Sequence, residues 1–146
     1  MPSRAILARQ WLAMAKVDRE AVSAFMDKFT EMAAATTTIG LLAVADRTGL
    51  LRSMAGADPA TSDEIAGFSN LEPRYVREIL SGLAAAGVVT YQAGDATFHL
   101  PDAHAACLAD DDSPYSMTGW LDMLPSVMSV LPGVANATIN GGGVRF

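Results

Sequence analysis

The run TSDEIAGFSNLEPRYVREILSGLAAAGVVTY, residues 61–91, carries the punctuation of two short helices and the strand that follows them. Thr61 followed three residues later by Glu64 has capping-box spacing, in which each side chain accepts the other residue's backbone N–H, so a short helix over 62–67 starts there. Ser69 and Asn70 form a tight corner, since Asn tolerates a positive φ. Pro73 suits the first position of the next helix, because its missing N–H would be unpaired there in any case. The inward face of that helix is Val76, Ile79, Leu80 and Leu83, and Gly87 is its stop. Val88, Val89 and Tyr91 are strand formers, Ala93, Gly94 and Asp95 are turn chemistry, and Thr97, Phe98 and Leu100 read as a returning strand. Two helices joined by a tight corner and followed by a hairpin make a winged helix-turn-helix unit.

Upstream, Val22, Phe25, Met26, Phe29, Met32 and Ala33 fall at helical spacing, with Arg19, Asp27, Lys28 and Glu31 off that face, so an amphipathic helix is expected over 18–35. A second helix is expected over 37–48, closed by Gly49, with Leu50, Leu51 and Met54 continuing its apolar surface and a turn over 56–60. Downstream, 103–109 reads as a short helix and 110–112 as a solvated link. Ser113 and Pro114 then have the chemistry of a helix start, for a helix bearing Met117, Trp120, Leu121, Leu124, Val127, Met128 and Leu131. Pro125 is expected to kink or split it. The fold class is mainly α: a winged helix-turn-helix with a small β-hairpin wing, between long N-terminal helices and C-terminal helices.

At 146 residues the chain is one domain, and with 51% apolar residues it can bury a core. The net charge of −6 speaks against generic binding to nucleic acid or anionic membranes. One cysteine, Cys107, excludes an intramolecular disulfide framework, and with two histidines there is no zinc-finger spacing. The uncharged stretch 32–45 is short of the roughly 20 residues needed to span a bilayer, and 123–144 is broken by Pro125, Pro132 and several glycines. Neither is expected to cross a membrane, and no signal peptide is expected, so a cytoplasmic location is the expectation.

A winged helix invites a DNA-binding reading, which needs basic residues for phosphate. Over 53–144 only Arg74 and Arg77 are basic, against eleven acidic residues, a balance of −9. The wing, 92–97, has no positive charge. A stand-alone transcription regulator is therefore the weaker reading, and Arg74 and Arg77 read as partners in surface or intersubunit ion pairs. His99, His104 and Cys107 lie close in sequence but lack the closed ligand set of a soft-metal site, so no metal is expected. Asp110, Asp111 and Asp112 read as a solvated loop rather than a cation loop. No nucleophile elbow or triad pattern occurs, and no catalytic residue is assigned. Gly141, Gly142 and Gly143 lack the strand, helix and acidic residue that a nucleotide loop requires, so no cofactor-binding residue is assigned either. The stripe Met117, Trp120, Leu121, Leu124 and Met128 suits an adaptable apolar pocket as well as plain packing.

The stretches LLAVADRTGLLRSMAGADPATSDEIAGFSNLEPRYVREILSGLAAAGVVTY (41–91) and FHLPDAHAACLADDDSPY (98–115) resemble the N-terminal winged-helix domain of a family of bacterial S-adenosylmethionine-dependent methyltransferases. DRTGLL (46–51) and RYVREILSGLAAAGVV (74–89) are the most specific pieces, and GGGV (141–144) is similar to the family's linker before its catalytic domain. The resemblance implies a dimerisation domain over 18–101, a helical linker over 102–146 and, in the intact family member, a Rossmann-like domain that binds S-adenosylmethionine. The chain ends where the family continues, so the expectation is a partial product with no activity and no cofactor of its own. The resemblance further implies that the stripe from Met117 to Met128 lies near the acceptor-substrate cavity. A homodimer is expected through Val22, Phe25, Met26 and Phe29, which would otherwise leave a large apolar patch exposed. A further reading is an interaction subunit that docks on a separately encoded catalytic chain. Residues 1–17 are an N-terminal extension; 1–13 are expected to be dispensable, with Met14 as an alternative start.

Overall fold

A computed structural model describes residues 17–144. The readings for 1–13, the alternative start at Met14 included, lie outside the described residues, as do 145–146. In chain order the elements are α1 (Arg19–Arg47), α2 (Leu50–Met54), β1 (Ala60–Thr61), α3 (Ser62–Ser69), α4 (Pro73–Ala85), β2 (Thr90–Gln92), β3 (Thr97–His99), α5 (Asp102–Leu108), α6 (Thr118–Ser129) and α7 (Leu131–Asn140). The described residues divide into two units, 17–36 and 37–144.

Where two helices were expected before Gly49, there is one, α1, of 29 residues. No proline interrupts 34–38, and threonines in this helix bond back into the preceding turn, Thr36 Oγ1 donating to the Met32 carbonyl at 2.8 Å, so the three consecutive threonines extend the helix instead of ending it. Gly49 does end it, at φ +72°, and α2 begins at once. In the first unit, every described residue is exposed.

The second unit holds the winged helix-turn-helix. Its core joins Leu42 and Ala45 of α1, Leu50, Leu51 and Met54 of α2, Ile65 of α3, and Val76, Leu80 and Leu83 of α4 to Val89, Phe98, Leu100, Ala105 and Leu121. Each fully buried leucine here contributes about 1.5–3 kcal/mol relative to exposure. Ile79, expected on the same face, is partly buried against this cluster. The capping box forms: Glu64 N–H donates to Thr61 Oγ1 at 3.3 Å, and Thr61 N–H donates to Glu64 Oε2 at 2.8 Å. Asn70 takes φ +56° at the corner. Pro73 opens α4, and Gly87, at φ +73°, follows its last turn. There the Val88 N–H bonds the Leu83 carbonyl at 2.8 Å and the Gly87 N–H bonds the Ala84 carbonyl at 3.0 Å, a Schellman closure.

The hairpin is part of a three-stranded sheet in the order β1-β3-β2, all antiparallel, with Ala60 opposite Phe98 and Tyr91 opposite Phe98 on its other side. The sequence places Ala60 at the end of a turn and Thr61 at a helix cap, yet the two form the strand β1. It is two residues long, and its strand character comes only from its distant partner β3.

At the C-terminal end one expectation is corrected and the reading of Pro125 as kinking or splitting its helix is narrowed. Ser113 and Pro114 do not start a helix: they form turns, and α6 begins at Thr118. The Met117 N–H is committed to the Cys107 carbonyl at 2.8 Å, which ties the loop back to α5 and sets the helix start after it. Pro125 lies inside α6 without splitting it, and the break falls at Val130, where Pro132 occupies the first turn of α7. A first-turn proline gives up no intrahelical bond, whereas Pro125 costs α6 one.

The loop over 110–112 is anchored as well as solvated. Asp46, 6% exposed, accepts from Arg52 Nη2 at 2.9 Å, and the same nitrogen reaches Asp111 Oδ2 at 3.3 Å. Arg52 Nη1 also donates to the Asp46 carbonyl at 3.1 Å. No helix among the described residues is long and apolar enough to cross a membrane.

Candidate functional site

The apolar stripe of α6 is divided by the helix. Leu121 turns inward and is 3% exposed, packed into the core. Met117 and Trp120 face outward, 50% and 61% exposed. They line a shallow depression of about 460 Å³ together with Ser116, Gly119 and Met123. Leu124 is half-buried and Met128 exposed, and neither lines the depression. Of the five expected pocket residues the structure thus brings two together at a surface. Ser116, Gly119 and Met123 were not foreseen. Met123 follows Trp120 at i+3, a spacing that was legible, whereas Ser116 joins because the chain before Thr118 is a turn; its hydroxyl sits 3.1 Å from that of Thr118. The depression offers thioether, indole and hydroxyl groups and no ionisable side chain, so it can hold an apolar group but not move a proton.

On α1, Val22, Phe25, Met26 and Phe29 are all exposed, Phe25 at 64% and Phe29 at 59%, and Met32 continues the row. Such a run of aromatic and thioether side chains on one helix face has no partner within the described residues of its unit.

On α4, Arg74 and Arg77 are exposed, and neither forms an ion pair with a described residue of the same chain, so the surface pairing expected within the chain does not occur. In the wing, Asp95 Oδ1 accepts from the Thr97 hydroxyl at 2.7 Å and from its N–H at 3.3 Å, which stiffens the turn and leaves the tip acidic. His99, His104 and Cys107 do separate things. His104 Nδ1–H donates to the Val88 carbonyl at 2.7 Å, tying α5 to the strand region, while His99 Nδ1 is buried without a partner. Cys107 is half-buried. Among the described residues, no three His, Cys, Asp or Glu side chains come together as a metal site would require.

Solved structures that match this fold include two methyltransferases and a protein bound to SAH. N,N-8-amino-8-demethyl-D-riboflavin dimethyltransferase (RosA) from Streptomyces davawensis matches at a TM-score of 0.64 and 18% identity, over 80% of this chain and 34% of its own. Human N-acetylserotonin methyltransferase, in complex with SAM, matches at 0.64 and 16%, over 86% and 36%. PigF with SAH matches at 0.58 and 22%, over 84% and 33%. The chain spans about a third of the length of these structures, and at these identities the likeness is one of fold. No curated protein matches the sequence. The shared fold is that of the N-terminal winged-helix part of the methyltransferase family which the sequence resembles. The sequence model of the Rv2258c-like winged HTH domain covers residues 33–110, more than half of the chain. The chain belongs to the family of Rv2258c-like winged HTH domains.

Proposed function

We propose that this chain is the dimerisation and substrate-side module of an S-adenosylmethionine-dependent methyltransferase, with no catalytic activity by itself. The observation that carries the reading is the pair of outward apolar surfaces on a winged-helix fold shared with SAM- and SAH-bound enzymes: the α1 row through Phe25 and Phe29, and the Met117–Trp120 depression. The α1 row fits a second copy of the same chain, because an isologous contact buries both rows at once. The depression fits an apolar portion of a methyl acceptor. S-adenosylmethionine belongs, in this reading, to the catalytic domain of the intact family member. The acidic balance of −9 over 53–144 supports the same reading, since it repels phosphate.

Sedimentation velocity tests it. The full chain is expected to be a dimer at micromolar concentration, and Phe25→Asp with Phe29→Asp a monomer or an aggregate. A stable monomer from the unaltered chain would overturn the reading.

A further inference from the structure

We propose that the groove between α4 and the wing binds a flat aromatic molecule bearing one carboxylate. The groove encloses about 550 Å³, within the range of small-molecule sites. Ser62, Arg77, Ser81, Ala85, Tyr91 and Phe98 line it. One wall is aromatic: the Tyr91 and Phe98 rings lie with centroids 4.8 Å apart and planes tilted by 42°. Phe98 is anchored in the core while Tyr91 stands half exposed, so an apolar face is presented on a fixed support. Toward the end of α4 the lining residues are the small Ala84 and Ala85, which leave room beside Arg77.

Arg77 supplies the charge. It is one of two cations over 53–144 in a chain of net charge −6, and no described carboxylate pairs with it. A guanidinium presents a planar fork that meets a carboxylate through two parallel hydrogen bonds. The Ser62 and Ser81 hydroxyls, in the same lining, supply further donors. One fork, two hydroxyls and an aromatic wall complement a single anionic head on a flat apolar body. They do not complement a duplex, for which one cation neutralises one phosphate among many. The groove shares no residue with the Met117–Trp120 depression, and the inference stands independently of the methyltransferase reading.

The test is a titration of the full ¹⁵N-labelled chain with 2-naphthoate and, separately, with the neutral 2-naphthylmethanol, followed by amide shifts. The expected result is saturable shifts centred on 77–98 with 2-naphthoate, at a Kd on the order of 1 mM or tighter, the level that ligand-efficiency bounds allow a molecule this small. The alcohol is expected to bind about tenfold more weakly or worse, the ordinary loss when a charged hydrogen bond is removed. Arg77→Met should erase that difference, and Ser81→Phe, which fills the groove, should abolish both. Both positions are exposed, and the comparison of acid with alcohol on the unaltered chain needs no variant. Equal binding of acid and alcohol, no saturable shift, unchanged binding in Arg77→Met, or shifts centred on Met117 and Trp120 would each overturn the proposal. So would a duplex DNA that moved the same amides and lost its effect in Arg77→Met, which would assign the groove to nucleic acid.

Discussion

Thr61 and Glu64 show how much of a boundary two side chains can determine. Two hydrogen bonds from Thr61, one from its hydroxyl and one from its backbone N–H, hold the Glu64 carboxyl below its ordinary value of 4.5. A carboxyl whose folded pKa is depressed contributes stability above the unfolded value and loses it as the pH falls through the lower, folded value. The contribution of this box is therefore full at neutral pH and declines below about pH 4.5. Thr61→Ala, which removes the hydroxyl but keeps the backbone N–H, is expected to raise the Glu64 titration only part of the way back toward its ordinary value, as followed by carboxyl NMR, and to cost about 1 kcal/mol of stability at pH 7. The same change should flatten the acid limb of the stability curve. Such local chemistry is what a sequence displays most openly: Thr61, Asn70, Pro73 and Gly87 each do in the structure what their residue type suggests, because each acts on backbone within a few residues of itself.

At the scale of elements, legibility fails wherever the deciding partner is distant. β1 is a strand only because Thr97 and Phe98 pair with it, and α6 starts at Thr118 because the amide before it is spent on Cys107. Of the five expected pocket residues only Met117 and Trp120 line the depression, because the core formed by distant elements takes up Leu121. The continuity of α1 was missed for a different cause, since 34–38 contains weak helix formers but no breaker. That continuity bears on the dimer. An isolated helical stretch shorter than about 12–15 residues is marginal in water, and longer ones remain dependent on packing of an apolar face. In the dimer, amides of 20–36 should therefore exchange slowly. In Phe25→Asp with Phe29→Asp they should exchange rapidly while amides near Leu50, Leu80 and Leu83 keep their protection. Equal protection of 20–36 in both proteins would show that the row on α1 is not the interface.

For the whole molecule, the shared fold covers about a third of each enzyme to which the chain is similar. The proposed division of labour, acceptor-side surface here and cofactor elsewhere, makes a thermal prediction. A ligand that binds only the folded state stabilises it by about 2.7 kcal/mol at a hundredfold excess over its Kd. S-adenosylmethionine at about 1 mM is thus expected to leave the Tm of the isolated chain unchanged. A clear upward shift, confirmed by calorimetry as micromolar binding, would move the cofactor onto this chain. Charge was the most legible property at this scale, because it sums over residues whatever their placement. The acidic balance over 53–144 needs no fold to be read.

Ala96, at the end of the wing turn, holds φ +57°, a backbone region where a side chain is strained and glycine is not. The turn was expected to rest on Ala93, Gly94 and Asp95, yet the residue that takes the left-handed conformation is an alanine one position later. Ala96 also lines the groove beside α4. Ala96→Gly is accordingly expected to raise the unfolding free energy by about 1 kcal/mol, measured by urea denaturation, while widening the groove and weakening 2-naphthoate. A wing that would be more stable with glycine at this position instead keeps a strained alanine beside the groove proposed to take a ligand.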